Sequence, residues 1–187
     1  DISAEARETC RNWIFKVACI RELLPRLYIE MALLRCYGLL SDDEYPSIVS
    51  RLGSTTRGLG DPLVAIYART YLARVTEEVM PGTLATEKMV GGLMDYLFSF
   101  REMKSERYQE RIASEGMTQS DVLAMHEPGV EWLMDAAARD KSKDTFTAVL
   151  SAYREHCGSS MVLKHILRAF PGNHFAAYAS SLVTLIK

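Results

Sequence analysis

The residues best equipped for chemistry in this 187-residue chain are four histidines and four cysteines. His156 and Cys157 are adjacent, with His165 and His174 further along, and a thiol beside an imidazole is the raw material of a nucleophile and its base. Neighbours in a helix point about 100° apart, however, so adjacency by itself does not pair them. None of the spacings matches H-x-x-x-H, C-x-x-C or another zinc pattern, so no metal site is read. His126-Glu127-Pro128 reads as a helix terminus rather than a catalytic pair. Gly58-x-Gly60 lacks the third glycine, the following lysine and the preceding strand of a phosphate loop, and reads as a turn before Asp61-Pro62. No catalytic, cofactor-binding or metal-binding residue is assigned.

Arginines carry more information. Arg21, Arg26, Arg35, Arg69 and Arg74 interrupt otherwise apolar helical stretches. A half-buried guanidinium requires carboxylate or carbonyl partners, and Glu22, Glu30 and Asp61 are candidates, so these arginines lock helix layers together or face a partner. The mixed-sign run Lys104 to Arg111 reads as a solvated helix face.

Helical periodicity must position all of these groups. Cys10, Trp13, Ile14, Val17, Arg21 and Leu24 recur in steps of three and four, and Glu22 to Pro25 ends that helix and starts the next. Pro25 to Leu40 is apolar almost all round, so neighbours must cover it on more than one side. Ser41-Asp42-Asp43 starts a short third helix that dissolves at Gly53, and Asp61-Pro62 caps a fourth that Pro81-Gly82 ends. Thr83 to Glu115 reads as one long helix bent at Gly91-Gly92. Ser120 to His126 reads as a short helix separate from a further one around Val130 to Ala137. Helices follow over Thr145 to His156, Ser160 to Phe170 and Asn173 to Ile186. No alternating pattern supports a sheet.

The chain therefore reads as all-α with about nine helices, paired at a period near 40 residues, the spacing of HEAT-like repeats. A globular bundle is the competing architecture. Composition agrees with a folded, reduced, soluble chain: 48% hydrophobic and 25% charged residues exclude intrinsic disorder, and a formal charge of −2 argues against a nucleic-acid binder. No apolar run approaches the ~20 residues of a membrane span. The chain starts Asp1-Ile2-Ser3 and ends Leu185-Ile186-Lys187, and residues 1–187 are read as one solenoid segment of a longer chain.

Pro25-Arg26-Leu27-Tyr28-Ile29-Glu30 resembles the P-R-L-Y-L-L motif near the start of the retromer large subunit. Arg11-Asn12-Trp13-Ile14-Phe15-Lys16 and Ile20-Arg21-Glu22-Leu23-Leu24-Pro25-Arg26 are closer to the paralogous large subunit of retriever, part of the endosomal Commander assembly. Arg57-Gly58-Leu59-Gly60-Asp61-Pro62-Leu63, with Tyr67-Ala68-Arg69 and Tyr71-Leu72, resembles the R-G-x-x-x-P-L segment of both. The similarity is strong over residues 7 to 80 and thinner beyond. Ile29 and Glu30 replace the paired leucines of the retromer motif, which favours the retriever branch.

The resemblance implies a right-handed α-solenoid fragment of HEAT-like hairpins. It also implies a non-enzymatic scaffold for endosomal cargo recycling, cytoplasmic and peripheral on endosomes, without cofactors. Its N-terminal segment would hold an arrestin-fold subunit, with Arg26, Leu27 and Tyr28 as the partner-binding residues and other subunits bound elsewhere. The residues themselves favour Leu27, spaced with Met31 and Leu34, and Tyr28 acting by holding the solenoid together, with contact and fold support both open for Arg26. The alternative is an all-helical regulatory or enzymatic domain that uses the His156/Cys157/His165 region.

Overall fold

A computed structural model describes residues 3–38, 45–80, 82–179 and 183. The described residues form ten α-helices and no strand. Ser3 caps α1 (Ala4–Ala18), and four residues separate it from α2 (Leu23–Tyr37). Pro25 falls in the first turn of α2, where its missing N–H leaves no bond unmade. The Ser41-Asp42-Asp43 start signal lies outside the described residues. From Tyr45, α3 (Tyr45–Thr56) runs through Gly53 instead of ending there, because Val49 and Leu52 before the glycine and Thr56 after it are all buried. Asp61 begins α4 (Pro62–Val79) as expected, its Oδ1 accepting the backbone N–H of Leu63 at 2.8 Å and of Val64 at 3.2 Å.

Two expectations fail downstream. The stretch expected as one helix over 83–115 is divided into α5 (Thr83–Met103) and α6 (Glu106–Ser114), and the break falls at Lys104-Ser105 rather than at Gly91-Gly92. Ser105 is the cause: its Oγ accepts the N–H of Tyr108 and caps a new helix, while Gly91 and Gly92 stay helical between buried Met89 and Leu93. Conversely, the two helices expected around Pro128 are one, α7 (Gln119–Ala137), opened by the Thr118/Asp121 capping box. Pro128 leaves the carbonyl of Ala124 without its helical donor, but both residues are exposed, on the solvent side of the helix.

Ser142 caps α8 (Lys143–Ala152), which widens into a π-helical turn over Tyr153–Cys157 and stops at Gly158, whose φ of 64° is left-handed. Then come α9 (Ser160–Ala169) and α10 (Gly172–Phe175), the latter followed by a 3₁₀ turn at Ala176–Tyr178. Most of the remainder of the expected last helix lies outside the described residues.

Packing follows chain order: α1 lies on α2, α2 on α3 and α4, α4 on α5 and α7, and α7 on α9. Two separate apolar cores result. The first joins Leu27, Met31 and Leu34 of α2 to Val49 and Leu52 of α3 and to Leu72 of α4. The second is built on α5 and α7 and runs to Phe170. The chain exposes 10473 Å², above the roughly 9,000 Å² of a compact protein of its mass. Layers stacked along a line, rather than a bundle around one core, account for both observations, and the fold is an α-solenoid fragment.

Glycines at the helix contacts make the packing testable. A Cβ on Gly129 would lie 3.0 Å from Cγ1 of Ile66, a fully buried side chain, so α7 makes its close approach to α4 at this glycine. Around Gly91 and Gly92 a Cβ meets nothing. In urea unfolding Gly129→Ala should cost about 1–3 kcal/mol, whereas Gly92→Ala should gain roughly 0.5–1 kcal/mol by reducing unfolded-chain entropy.

Candidate partner-docking site

The start of α2 holds all three expected partner-binding residues, and the helix sends each in a different direction. Leu27 is 1% exposed and belongs to the α2–α3–α4 core, so its side chain supports the fold. Tyr28, half-buried, lays its ring 5.5 Å from that of Tyr71 on α4 at a tilt of 36°. Burial first, then the neighbouring Tyr71, pushes the Tyr28 phenol above its ordinary range. Tyr71 in turn carries weight between layers, because Arg35 of α2 reaches both it and Glu78, the latter through Nε at 2.8 Å.

Arg26 alone keeps an open side. Its Nε sits 3.4 Å from Glu30 Oε1, one helical turn on, and Arg51 Nη1 from α3 approaches Glu30 Oε2 at 2.7 Å. Glu30, with 17% of its side chain exposed, thus holds two guanidiniums against one carboxylate, while Arg26 remains 34% exposed. The cluster carries one surplus positive charge, and the ion pair with Glu30 biases where the Arg26 guanidinium sits. Glu30 was legible as a partner from its spacing; Arg51 was not, since it arrives from another helix.

Other arginines depart from expectation. Arg35 and Arg74 both use Glu78. Asp61 pairs with Arg111 of α6, at 2.7 Å, rather than with an arginine of the apolar helices. Arg111 belongs to the run expected to be a solvated face, yet Tyr108 of that run is buried. Arg69 is buried and forms no hydrogen bond among the described residues. Arg139, at the end of α7, binds Glu77 of α4.

The histidine and cysteine region assembles no catalytic group. Cys157 is buried, and burial pushes its thiol up to about 12 despite Lys104, whose Nζ donates to the Cys157 carbonyl at 2.5 Å. His156 packs its ring edge-on to Phe98 at 5.2 Å. His165, buried on α9, meets Glu127 Oε1 at 3.3 Å, an oxygen that Lys164 also binds at 2.6 Å. Cys157 and His165 share no hydrogen bond among the described residues, so no base addresses the thiol. His126, expected at a helix terminus, is instead mid-helix and fully buried, 3.1 Å from the Tyr96 hydroxyl through Nδ1. Its Nε2 has no partner in either tautomer, and burial pulls its pKa down to about 4. Among the described residues no cluster of side chains could hold a metal ion, and no helix is long and apolar enough to cross a membrane.

Comparison with known proteins follows the same lines. A family profile described as VPS35L matches residues 1–125. A VPS35 endosomal protein sorting factor-like protein of Dictyostelium discoideum is 34% identical over 191 residues, covering 100% of this chain and 19% of its own length. Counterparts from Danio rerio and Homo sapiens are 33% and 31% identical, over 100% and 97% of this chain. The chain spans about a fifth of the length of these curated relatives. Similarity therefore extends through residues 83 to 187, where the motif resemblance is thin.

Cys157 should label slowly with a thiol reagent near neutral pH in the folded chain and rapidly in denaturant; fast labelling of the folded form would revive a nucleophile. His126 makes stability depend on acid. Unfolded, it takes a proton near 6.5, and folded only near 4, so the unfolded state binds more protons between those values. Stability present above pH 6.5 should fall by up to about 3 kcal/mol as pH drops through that window. His126→Phe should flatten this part of the stability–pH curve measured by denaturant titration.

Proposed function

Because the chain belongs to the VPS35L family, we propose that it is a scaffold segment of an endosomal cargo-sorting complex, acting by holding other proteins and not by turnover. The relatives' names as endosomal protein sorting factors support the sorting role. The layered helices, with a buried and unactivated Cys157, fit a scaffold better than a domain built on the His156/Cys157/His165 region. The protein works at the endosome surface, peripherally and from the cytoplasmic side. Its other subunits bind the longer protein elsewhere.

The arrestin-fold subunit of the complex docks at the start of α2, with Arg26 making the contact and Leu27 and Tyr28 shaping the surface beneath it. One observation carries this reading: of the three motif residues only Arg26 combines an exposed guanidinium with an ion pair that biases its position, to a Glu30 shared with Arg51. An arginine biased in this way loses less rotamer freedom when a partner carboxylate or carbonyl binds it.

In the full-length protein, Arg26→Glu should weaken capture of the arrestin-fold subunit about tenfold or more in a quantitative pull-down, because it reverses the charge at the contact. The melting temperature should stay near that of the unmodified protein. Leu27→Ala should behave differently, costing about 2–5 kcal/mol of stability through the cavity it leaves. Undiminished capture by Arg26→Glu would remove the docking role from this site.

A further inference from the structure

A second feature, distant in sequence from the α2 motif, is a cleft of about 750 Å³ between the α3–α4 turn, α4, α5 and α6. Four arginines line it, Arg57, Arg69, Arg107 and Arg111, against the two carboxylates of Asp95 and Glu102. Arg57 Nε is bound to Asp95 Oδ2 at 2.7 Å, and Arg111 Nη2 to Asp61 Oδ2 at 2.7 Å. Each of these exposed guanidiniums keeps donors beyond its single carboxylate. Arg107 is exposed and makes no ion pair among the described residues.

Arg69 is the decisive residue. It is 7% exposed, lies at the border of this cleft and of an adjoining one of about 270 Å³, and its buried Nε and Nη1 have no acceptor. Arginine cannot shed its charge at accessible pH, and a buried charged donor without an acceptor is costly. Asp95 lies close enough to act on it electrostatically but accepts no hydrogen bond from it, and Arg57 opposes it. The same α4–α5 region leaves a second buried donor, the Thr76 hydroxyl, unpaired at the edge of the adjoining cleft.

We propose that this cleft binds a small phosphorylated polyol of the inositol phosphate type, free or as a lipid headgroup, with one phosphate beside the buried charge of Arg69. Asp61 also holds Arg111, so four guanidiniums face three carboxylates; the surplus positive charge and the spare donors of Arg57, Arg107 and Arg111 suit a phosphate, with three acceptor oxygens, better than a carboxylate with two. A cleft of about 750 Å³ is larger than a bare phosphate needs and falls within the roughly 300–1,000 Å³ of small-molecule sites. Several arginines around one concavity suit several phosphates on a compact ring. The aromatic side chains at the cleft are Phe98, 54% exposed beside His156 and Arg101, and Tyr108, whose ring lies under Arg111 at 4.8 Å, so ATP is the competing ligand to test.

Calorimetric titration of the full-length protein with inositol trisphosphate tests this directly, with Arg69→Met removing the buried charge and Arg107→Gln removing an exposed donor that makes no ion pair among the described residues. Saturable binding that weakens with added salt, and at least about tenfold in each variant, is expected. Flotation with phosphatidylcholine vesicles carrying a phosphoinositide, against vesicles of equal charge made with phosphatidylserine, separates the two sources. Phosphoinositide-selective recruitment that inositol trisphosphate competes away assigns the headgroup, and binding of the soluble compound without recruitment assigns the free ligand; both support the site. Absence of saturable binding would overturn it, as would unaltered binding in Arg107→Gln. Tighter, Arg69-dependent binding of ATP or of a glutamate-rich peptide would overturn it too, by reassigning the cleft to another ligand class.

Discussion

Helix α4 is buried from two sides, and most of the molecule depends on that. Ala68, Leu72 and Val75 enter the core shared with α2 and α3, while Ile66 and Ala73 enter the one built on α5 and α7. A helix with two apolar faces cannot be satisfied by a single partner, so it forces a layer on each side and makes the architecture linear. Its contact with α7 is close enough to require Gly129 opposite Ile66. Ion pairs at the rim, Arg35 with Glu78 on one side and Arg139 with Glu77 on the other, tie both neighbouring layers to the same helix. Exposed pairs of this kind contribute little stability each, and their effect is mainly to set register.

The same double burial explains where polar groups are left in tension. Arg69 sits on α4 between the two cores, where neither side offers a carboxylate in hydrogen-bonding geometry, and the helix cannot rotate to expose it without withdrawing Ile66 or Leu72. His126 is the counterpart on α7, held neutral by burial beside Tyr96. Both lie where layers meet. The motif at the start of α2 shows the opposite arrangement: Leu27 is absorbed by the core, Tyr28 rests on Tyr71, and the charged residue is held at the surface by a carboxylate that belongs to its own helix. One short segment thus joins fold support and recognition.

Much of this was legible from local chemistry. Asp61-Pro62 announces α4 because a capping carboxylate and a proline in the first turn act within three residues of each other. The stripe Met89, Leu93, Tyr96, Leu97, Phe100 and Met103 of α5 is buried as its spacing requires. Arg26 and Glu30 meet because they stand one turn apart. Misreadings arose where a local signal competed with packing. Pro128 is a helix breaker in isolation, but both halves of α7 lie in one core and the proline itself is on the solvent side of the helix. Gly91-Gly92 is a weak point that packing spans, whereas Ser105, an ordinary residue in a charged run, ends a helix by capping the next.

What the sequence determined alone is what depends on neighbours a few residues apart: the all-helical class, most helix starts, the two-sided apolar character of α2 and the motif that connects the chain to its family. Tertiary structure decided what depends on groups far apart in the chain. It joined Asp61 to Arg111, brought Arg51 to Glu30, buried Cys157 and left Arg69 without an acceptor. The reason is physical. A cap or a stripe is set by helix geometry within a few turns, while the partner of a charge and the depth of its burial are set by which layers stack, and no local spacing encodes that.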